Sequence, residues 1–374
     1  MRSTGVGTHA VFVARSREIL VWTPSECKSG SALETKGGAV SKPKIPVLGG
    51  RRSVLVGASF LLTIGPQAYG QSNRAAPLLG VLVSASQGAF AQRLTGLRQG
   101  LRAYGYEEPR SIELMLRYAD GEVDRLPSLA RELVSANPSA IVVNSTSSLR
   151  AAMAATSSIP IVVISASDVV ASGLVSSLSR PGANVTGFTL QRLDLGPKEV
   201  ELVMELFPRL KRLAVLRGPA GGAGALVADG IRDAAASRGV EAVHYPVSSI
   251  ADINVAFAAM TDTRIGCIYA VPGPYLATNW PRVADAAAAR RIAIVTSTRE
   301  YVEAGALASF GPDFNALTRG TAYFVDRILK GTAPADLPVQ QPTKFSLVIN
   351  LKAARAIGLT LPPTILLRAD EVIE

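Results

Sequence analysis

Short apolar runs recur along this chain, each followed by a stretch whose apolar residues have helical spacing, and the alternation runs from Pro77 almost to the last residue. LLGVLV (78–83), SIELMLRYA (111–119), AIVVNS (140–145) and PIVVIS (160–165) read as strands rich in β-branched and apolar side chains. FAQRLTGLRQGLRAYG (90–105), DRLPSLARELVSA (124–136) and SLRAAMAAT (148–156) read as the helices between them. Strands that alternate with helices predict parallel βαβ units with right-handed crossovers. Strands apolar on both faces predict a sheet covered by helices on both sides.

The pattern restarts after NVTGFT (184–189). A helix over 197–208 leads to a strand at 212–217, a Gly-rich turn (218–224) and a helix over 225–239. Strand 241–247, helix 253–261, strand 266–271, helix 275–291 and strand 292–297 follow. Strand 306–311 and a long helix 314–331 come next, then a passage with Pro334, Pro338 and Pro342 that cannot be helical. Strand 346–350 and helix 351–358 close the series. The expected fold class is α/β, two doubly wound parallel-sheet lobes with a hinge of crossover strands. Lobe 1 is expected over 77–187 plus 306–331 and lobe 2 over 188–305 plus 332–374. The chain is expected to cross between them near 186–190, 300–305 and 332–344.

Composition narrows the function classes. Hydrophobic residues are 48% of the 374, enough for large cores. The net charge of +10 hints at a nucleic-acid partner, but residues 1–70 carry +6 of it and 71–374 only +4. The basic excess lies mostly in the leader, and no nucleic-acid partner is expected. Cys27 and Cys267 are the two cysteines, so a multi-Cys zinc site is excluded. His9 and His244 are the two histidines, which leaves at most one candidate base for a triad. Neither a metal nor a cofactor is expected.

Residues 51–70 (RRSVLVGASFLLTIGPQAYG) have the pattern of an export signal: Arg51 and Arg52, an apolar run from Val54 to Ile64, then Ala68 and Gly70 at −3 and −1 of a cleavage site. The run is too short to span a bilayer. The arginine pair loosely resembles a twin-arginine signal, a pattern that ordinary export signals share. Residues 1–50 are a polar, irregular extension with no export pattern, and no Met stands between Met1 and Met115. One hypothesis places the translation start at a non-Met codon near Val47 or Leu48, leaving 1–46 untranslated. The expected location is the periplasm, with no lipid anchor because no Cys lies near residue 70.

In open α/β sheets, ligands bind beyond the carboxyl ends of the strands. Those ends are Ser84 and Ser86; Asn144, Ser145 and Thr146; Ser167 and Asp168; Arg217; Tyr275; and Thr296 with Ser297. Hydroxyls and amides bind polar ligand atoms at small desolvation cost, and a helix N-terminus behind 144–147 suits a carboxylate. The same residue types are ordinary N-caps, so each is a cap or a ligand contact. Asp168 anchors an amine or caps a helix through 169–178. Arg217 holds a carboxylate or pairs with a surface acid. The turn 218–224 spells G-x-x-G-G-x-G without the phosphate-binding spacing, and a loop at the cleft mouth is the favoured reading. His244 reads as a core or surface residue, and Cys267 as buried and inert.

The segments IVVNSTSSLRAAMAATSSIPIVVISASDVVASGLVSSLSRPGANVTGF (141–188), ASFGPD (308–313), YFVDRILKGTAPADLPVQQPTKFSLVINLKAARAIGLTLPP (323–363) and RADEVIE (368–374) resemble the ABC-transporter substrate-binding protein family of the TrpX-like kind. That resemblance implies a type I periplasmic-binding-protein fold, a hinged cleft and delivery of a small solute to an inner-membrane ABC permease. It also implies that Asn144, Ser145, Thr146, Ser167 and Asp168 lie on ligand-contacting loops. Two departures stand out. Val169 and Val170 follow Asp168 where the family has Pro-Val, and Arg217-Gly218-Pro219 replaces an Asn-Pro. The expected function is a monomeric solute receptor for a small polar organic ligand, such as an amino acid or related carboxylate. A ligand-sensing effector module, or an enzyme on the same scaffold, is the alternative.

Overall fold

In the computed structural model two parallel-dominated sheets carry the chain, and residues 76–374 are described apart from 220, 221 and 264. The expected extension over 1–50 and the export signal over 51–70 lie outside the described residues. Both sheets belong to one compact unit.

The first sheet is built from β1 (Leu78–Val83), α1 (Gln87–Ala103), β2 (Glu113–Tyr118), α2 (Leu126–Ser135), β3 (Ala140–Val143), α3 (Thr146–Ala155), β4 (Ile161–Ser167) and β5 (Val185–Leu190). Its strands run in the order β2-β1-β3-β4-β5, all parallel. The chain leaves β1 toward β2 on one side and returns to β3 on the other, so β1 and β3 flank a switch point. Apolar side chains fill both faces. Val81, Val83 and Val142 pack with α1 on one face, and Leu82, Ile141 and Val143 pack with α2 and α3 on the other. Complete burial of each such side chain stabilises by about 1.5–3 kcal/mol relative to exposure.

The second sheet follows α4 (Arg192–Leu206) and contains β6 (Arg212–Arg217), α5 (Gly222–Ala236), β7 (Glu241–Pro246), α6 (Ile250–Asp262), β8 (Cys267–Ala270), α7 (Pro274–Thr278), α8 (Trp280–Ala289), β9 (Ala293–Thr296), α9 (Arg299–Glu303) and β10 (Ala308–Pro312). After β10 the chain forms α10 (Phe314–Leu329), then β11 (Phe345–Asn350), α11 (Leu351–Ile357), α12 (Pro363–Arg368) and β12 (Glu371–Ile373). The strand order is β12-β11-β10-β9-β8-β6-β7, and β10 with β11 is the antiparallel pair. The helix expected over 275–291 is two helices, each opening with a proline in its first turn, as Pro274 and Pro281 demand. Gly331 and Gly358 end helices in left-handed conformation, with φ of +94° and +72°.

Four assignments of chain to lobes differ from the sequence reading. The strand expected in lobe 1 over 306–311 is β10, and it pairs with β9 and β11 in the second sheet. Gly311 permits this: a Cβ there would stand 2.0 Å from the Ser297 carbonyl oxygen. The second crossover therefore falls at 312–314, beyond the 300–305 stretch that contains α9. The third difference is the Pro-rich segment. Its first half belongs to lobe 1, because Gln340 N–H donates to Gly187 O (2.8 Å), Thr189 N–H to Gln340 O (2.9 Å) and Thr186 Oγ1 to Leu337 O (2.8 Å). Likewise Phe188 and Leu190 sit in β5 of the first sheet.

Helix α10 returns to lobe 1 and lies along α1. Phe314, Leu317, Ala322, Phe324, Val325 and Ile328 enter the same core as Leu97 and Leu101. The crossing is close because Gly100 has no side chain; a Cβ would lie 2.3 Å from Arg319 O and 3.0 Å from Ala322 Cβ. Gly100→Ala is therefore expected to push the two helices apart and to lower stability by about 1–3 kcal/mol. Urea unfolding of the variant beside the parent checks this.

Candidate functional site

The carboxyl ends of both sheets face a cavity of about 860 Å³ between the lobes. Lobe 1 supplies the turns after β1, β3 and β4 and the first turns of α1 and α3. Lobe 2 supplies the turns after β6, β8 and β9 together with α7 and α9.

The lobe-1 wall is knitted by side chains of the turns themselves. Asn144 Oδ1 accepts from Ser84 N–H (2.9 Å), Ser84 Oγ (3.1 Å) and Ser148 Oγ (3.4 Å). The backbone donor fixes the orientation of the carboxamide, so its NH₂ is the end available to a ligand. Ser165 Oγ donates to Asn144 O (3.0 Å), and Thr146 Oγ1 accepts from Ser167 N–H (2.9 Å). Ser145 caps α3 in a reciprocal box with Ser148, and Ser86 caps α1. Two helix N-termini thus converge on this wall with their leading N–H groups and positive dipole ends. The caps and the cavity lining are the same residues, so the two readings of these side chains are compatible.

The lobe-2 wall is largely aromatic. The Trp280 indole stacks on the Tyr301 ring at 3.8 Å between centroids and donates Nε1–H to Ala304 O (3.2 Å). Phe90 and Phe314 from the lobe-1 side complete the apolar surface. Burial raises the Tyr301 phenol well above its ordinary pKa, with the nearby Glu300 charge adding to the shift and Arg93 opposing it. Burial, aided by Asp252, raises Tyr275 as well. Both phenols stay protonated at neutral pH and can donate.

The lobes touch along the cleft. Ser86 N–H donates to Thr278 Oγ1 at 3.1 Å. Arg93 of α1 meets Glu300 of α9 at 3.4 Å, with the guanidinium 4.4 Å above the Phe314 ring. Gly121, at φ +87°, lets Thr278 and Tyr275 approach; a Cβ there would be 3.2 Å from Thr278 Oγ1.

Of the residues picked out from the sequence, Ser84, Ser86, Asn144, Ser145, Thr146, Ser167, Tyr275 and Ser297 line the cavity. Asp168, Arg217 and Thr296 do not. Residues 169–178 form a series of turns instead of a helix, with Asp168 at φ +46°, its N–H on Leu190 O and its carbonyl holding Ser172. The Arg217 guanidinium folds back onto Gly218 O and Pro219 O, at 3.3 and 3.2 Å. Thr296 is fully buried and donates to Ala270 O (3.0 Å), tying β9 to β8. Arg93, Phe90, Thr278, Trp280, Glu300, Tyr301 and Phe314 join the wall without having been picked out from strand ends, since they sit within helices or on the unexpected α9. Gly218, Pro219 and Gly224 of the Gly-rich turn also line it. His244 lies on β7, 3.2 Å from Ala228 O, and Cys267 is fully buried with its thiol pushed up by burial.

Two helix-covered sheets whose strand ends share one open cleft, linked by crossing segments, define a cleft-binding protein of the periplasmic-binding architecture. Residues 79–373 match the family model described as ABC transporter substrate binding protein, and the chain belongs to that family. The family is one of substrate-binding proteins, which partner with ABC permeases. The chain is 28% identical over 264 residues to a tyrosine-binding protein of Clostridioides difficile (strain R20291), covering 71% of this chain and 76% of that one. A conserved domain protein of Vibrio cholerae O1 biovar eltor str. N16961 is similar in structure, at 31% identity and a TM-score of 0.74, over 80% of this chain and all of that one. An ABC domain from Streptococcus pneumonia in complex with L-Trp matches at 26% identity and a TM-score of 0.73, again over 80% of this chain and all of that one.

Two variants probe the two walls. Asn144→Ala strands the buried Ser84 N–H and is expected to lower stability by about 1–3 kcal/mol in denaturant unfolding. Gly121→Leu places a side chain at φ +87° against Thr278 and Tyr275; it is expected to lower stability through that strain and, by pushing the lobes apart, to weaken ligand binding about 10-fold or more, which denaturant unfolding and titration calorimetry read separately.

Proposed function

We propose that the protein is the solute-binding component of an ABC uptake transporter and that its ligand is an amino acid with a large apolar or aromatic side chain. The observation that carries this reading is the division of the cavity. Its lobe-1 wall offers two helix N-termini, the Asn144 amide and the hydroxyls of Ser86, Ser145 and Ser167, a set suited to a carboxylate. Trp280 and Tyr301 of lobe 2, with Phe90 and Phe314 from the lobe-1 side, form an aromatic part of the lining suited to an apolar or aromatic side chain. The tyrosine and L-Trp named for the two relatives agree with this division. Closure of the lobes sequesters the ligand, and the permease reads the closed shape. Export by the 51–70 segment places a monomeric receptor in the periplasm, with no role for nucleic acid. No helix among the described residues is long and apolar enough to cross a membrane.

The test is to strip co-purified ligand by unfolding and refolding, then titrate amino acids, related carboxylates and sugars. Melting temperature and Trp280 fluorescence report binding. Tyrosine, tryptophan or another large apolar amino acid is expected to saturate the protein and to be recovered unchanged. Stabilisation of about 2.7 kcal/mol is expected at 100 times Kd. Conversion of the bound compound to a product, or binding of sugars alone, would overturn the reading.

A further inference from the structure

We infer that Glu300, with Thr298 beside it, is the lobe-2 seat for the ammonium group of the ligand, an assignment that rests on the amino-acid reading above. Glu300 Oε1 receives Arg93 Nε–H at a long 3.4 Å. The other oxygen, Oε2, is sealed from solvent and has no hydrogen-bond partner among the described residues. Thr298 Oγ1 is in the same condition. Thr298 occupies the N-cap of α9 yet makes no side-chain bond to its own helix. Both residues line the cavity. Two orphaned acceptors within three residues, on side chains that line one cavity, call for a donor, because a sealed carboxylate oxygen left unpaired is costly; neither oxygen has surface open in this conformation, so a donor in the cavity reaches them as the two side chains turn toward it.

Among the described residues no group supplies that donor. Arg93 is the single cationic side chain on the described cavity wall, and it is engaged with Oε1 and the Phe314 ring. Glu303 on the same wall is already paired with Arg299 of its own helix, which leaves Glu300 as the carboxylate with an oxygen to spare. An ammonium group brings positive charge and three N–H donors, enough for Oε2, Thr298 Oγ1 and a third acceptor. A neutral hydroxyl brings one donor and leaves the carboxylate uncompensated.

The consequence is directional. The carboxylate of the ligand rests on the helix N-termini of lobe 1, and its ammonium reaches Glu300 on lobe 2. A zwitterion then bridges the cleft, and its amine contact forms only when the lobes meet. Selectivity for α-amino acids over carboxylic acids of the same shape resides in Glu300.

Titration calorimetry of the refolded protein tests this with matched pairs. L-tyrosine, L-tryptophan and L-leucine are each compared with the acid that lacks the amine: 3-(4-hydroxyphenyl)propionate, indole-3-propionate and 4-methylpentanoate. The wild type is expected to favour the amine by about 10- to 100-fold, the range for a lost charge-assisted hydrogen bond. Glu300→Gln keeps the shape and removes the charge; it is expected to bring each pair within a few-fold, while Arg93→Gln retains the preference. Equal weakening of both members of every pair, in Glu300→Gln and Arg93→Gln alike, would reduce Glu300 to an interlobe latch and overturn the assignment. So would an unchanged preference in Glu300→Gln, with the amino-acid reading left standing. The ligand-side comparison needs no variant: a wild type that binds des-amino acids as tightly as amino acids overturns the assignment even if Glu300→Gln does not fold. Binding of none of the amine-bearing probes by the wild type would overturn both readings.

Discussion

A parallel sheet buried on both faces leaves its backbone ends, and not its surfaces, available for chemistry. Right-handed crossovers then send every strand-to-helix turn of a lobe to the same edge. In this protein that constraint acts twice, and the two edges face one another. The cores of Val81 and Val142 in one lobe and of Val215 and Val295 in the other hold the sheets rigid. The turns at 84–86, 144–147, 271–275 and 297–300 inherit that rigidity while remaining open to a ligand.

The electrostatics of the cleft follow from the same geometry. Helices α1 and α3 start at the carboxyl ends of lobe-1 strands, so their dipoles point positive ends at the cavity without any lysine being needed. Asn144 joins β1 to α3 through one oxygen that accepts three hydrogen bonds, which sets the wall before any ligand arrives. Lobe 2 contributes differently, through the stacked Trp280 and Tyr301 and an acidic residue at the start of a short helix. The lobes meet through a hydrogen bond at Ser86, an ion pair between Arg93 and Glu300 and a close approach at Gly121.

Much of this was legible in the chain before folding. The alternation of apolar runs with helical stretches located most strands within a residue or two, because a doubly covered strand must be apolar throughout. The strand-end rule reached Ser84, Asn144, Ser145, Thr146 and Ser297, since a turn at a sheet edge needs only local sequence to be recognised. It also reached Thr296 and Arg217, which a change of one side-chain direction turns inward to β8 or back onto the loop. Helices α9 and α12 and strand β12 went unseen because each is only three to six residues long. Their stability comes from tertiary packing more than from propensity. The path of β10 and α10 was equally hidden. An apolar strand fits either sheet, and only the bare backbone at Gly311 and Gly100 shows where the close approaches occur.

The sequence by itself determined the two α/β units, the turns that border the cleft and the caps that hold them, since each depends on periodicity or on contacts within a few residues. Tertiary structure alone decided which lobe owns β10 and the Pro-rich segment. It alone brought Arg93 of one lobe against Glu300 of the other across a separation of 207 residues. The reason is that a cavity between lobes is made of groups whose positions follow from how the sheets pack and cross, and no local pattern records the distance between them.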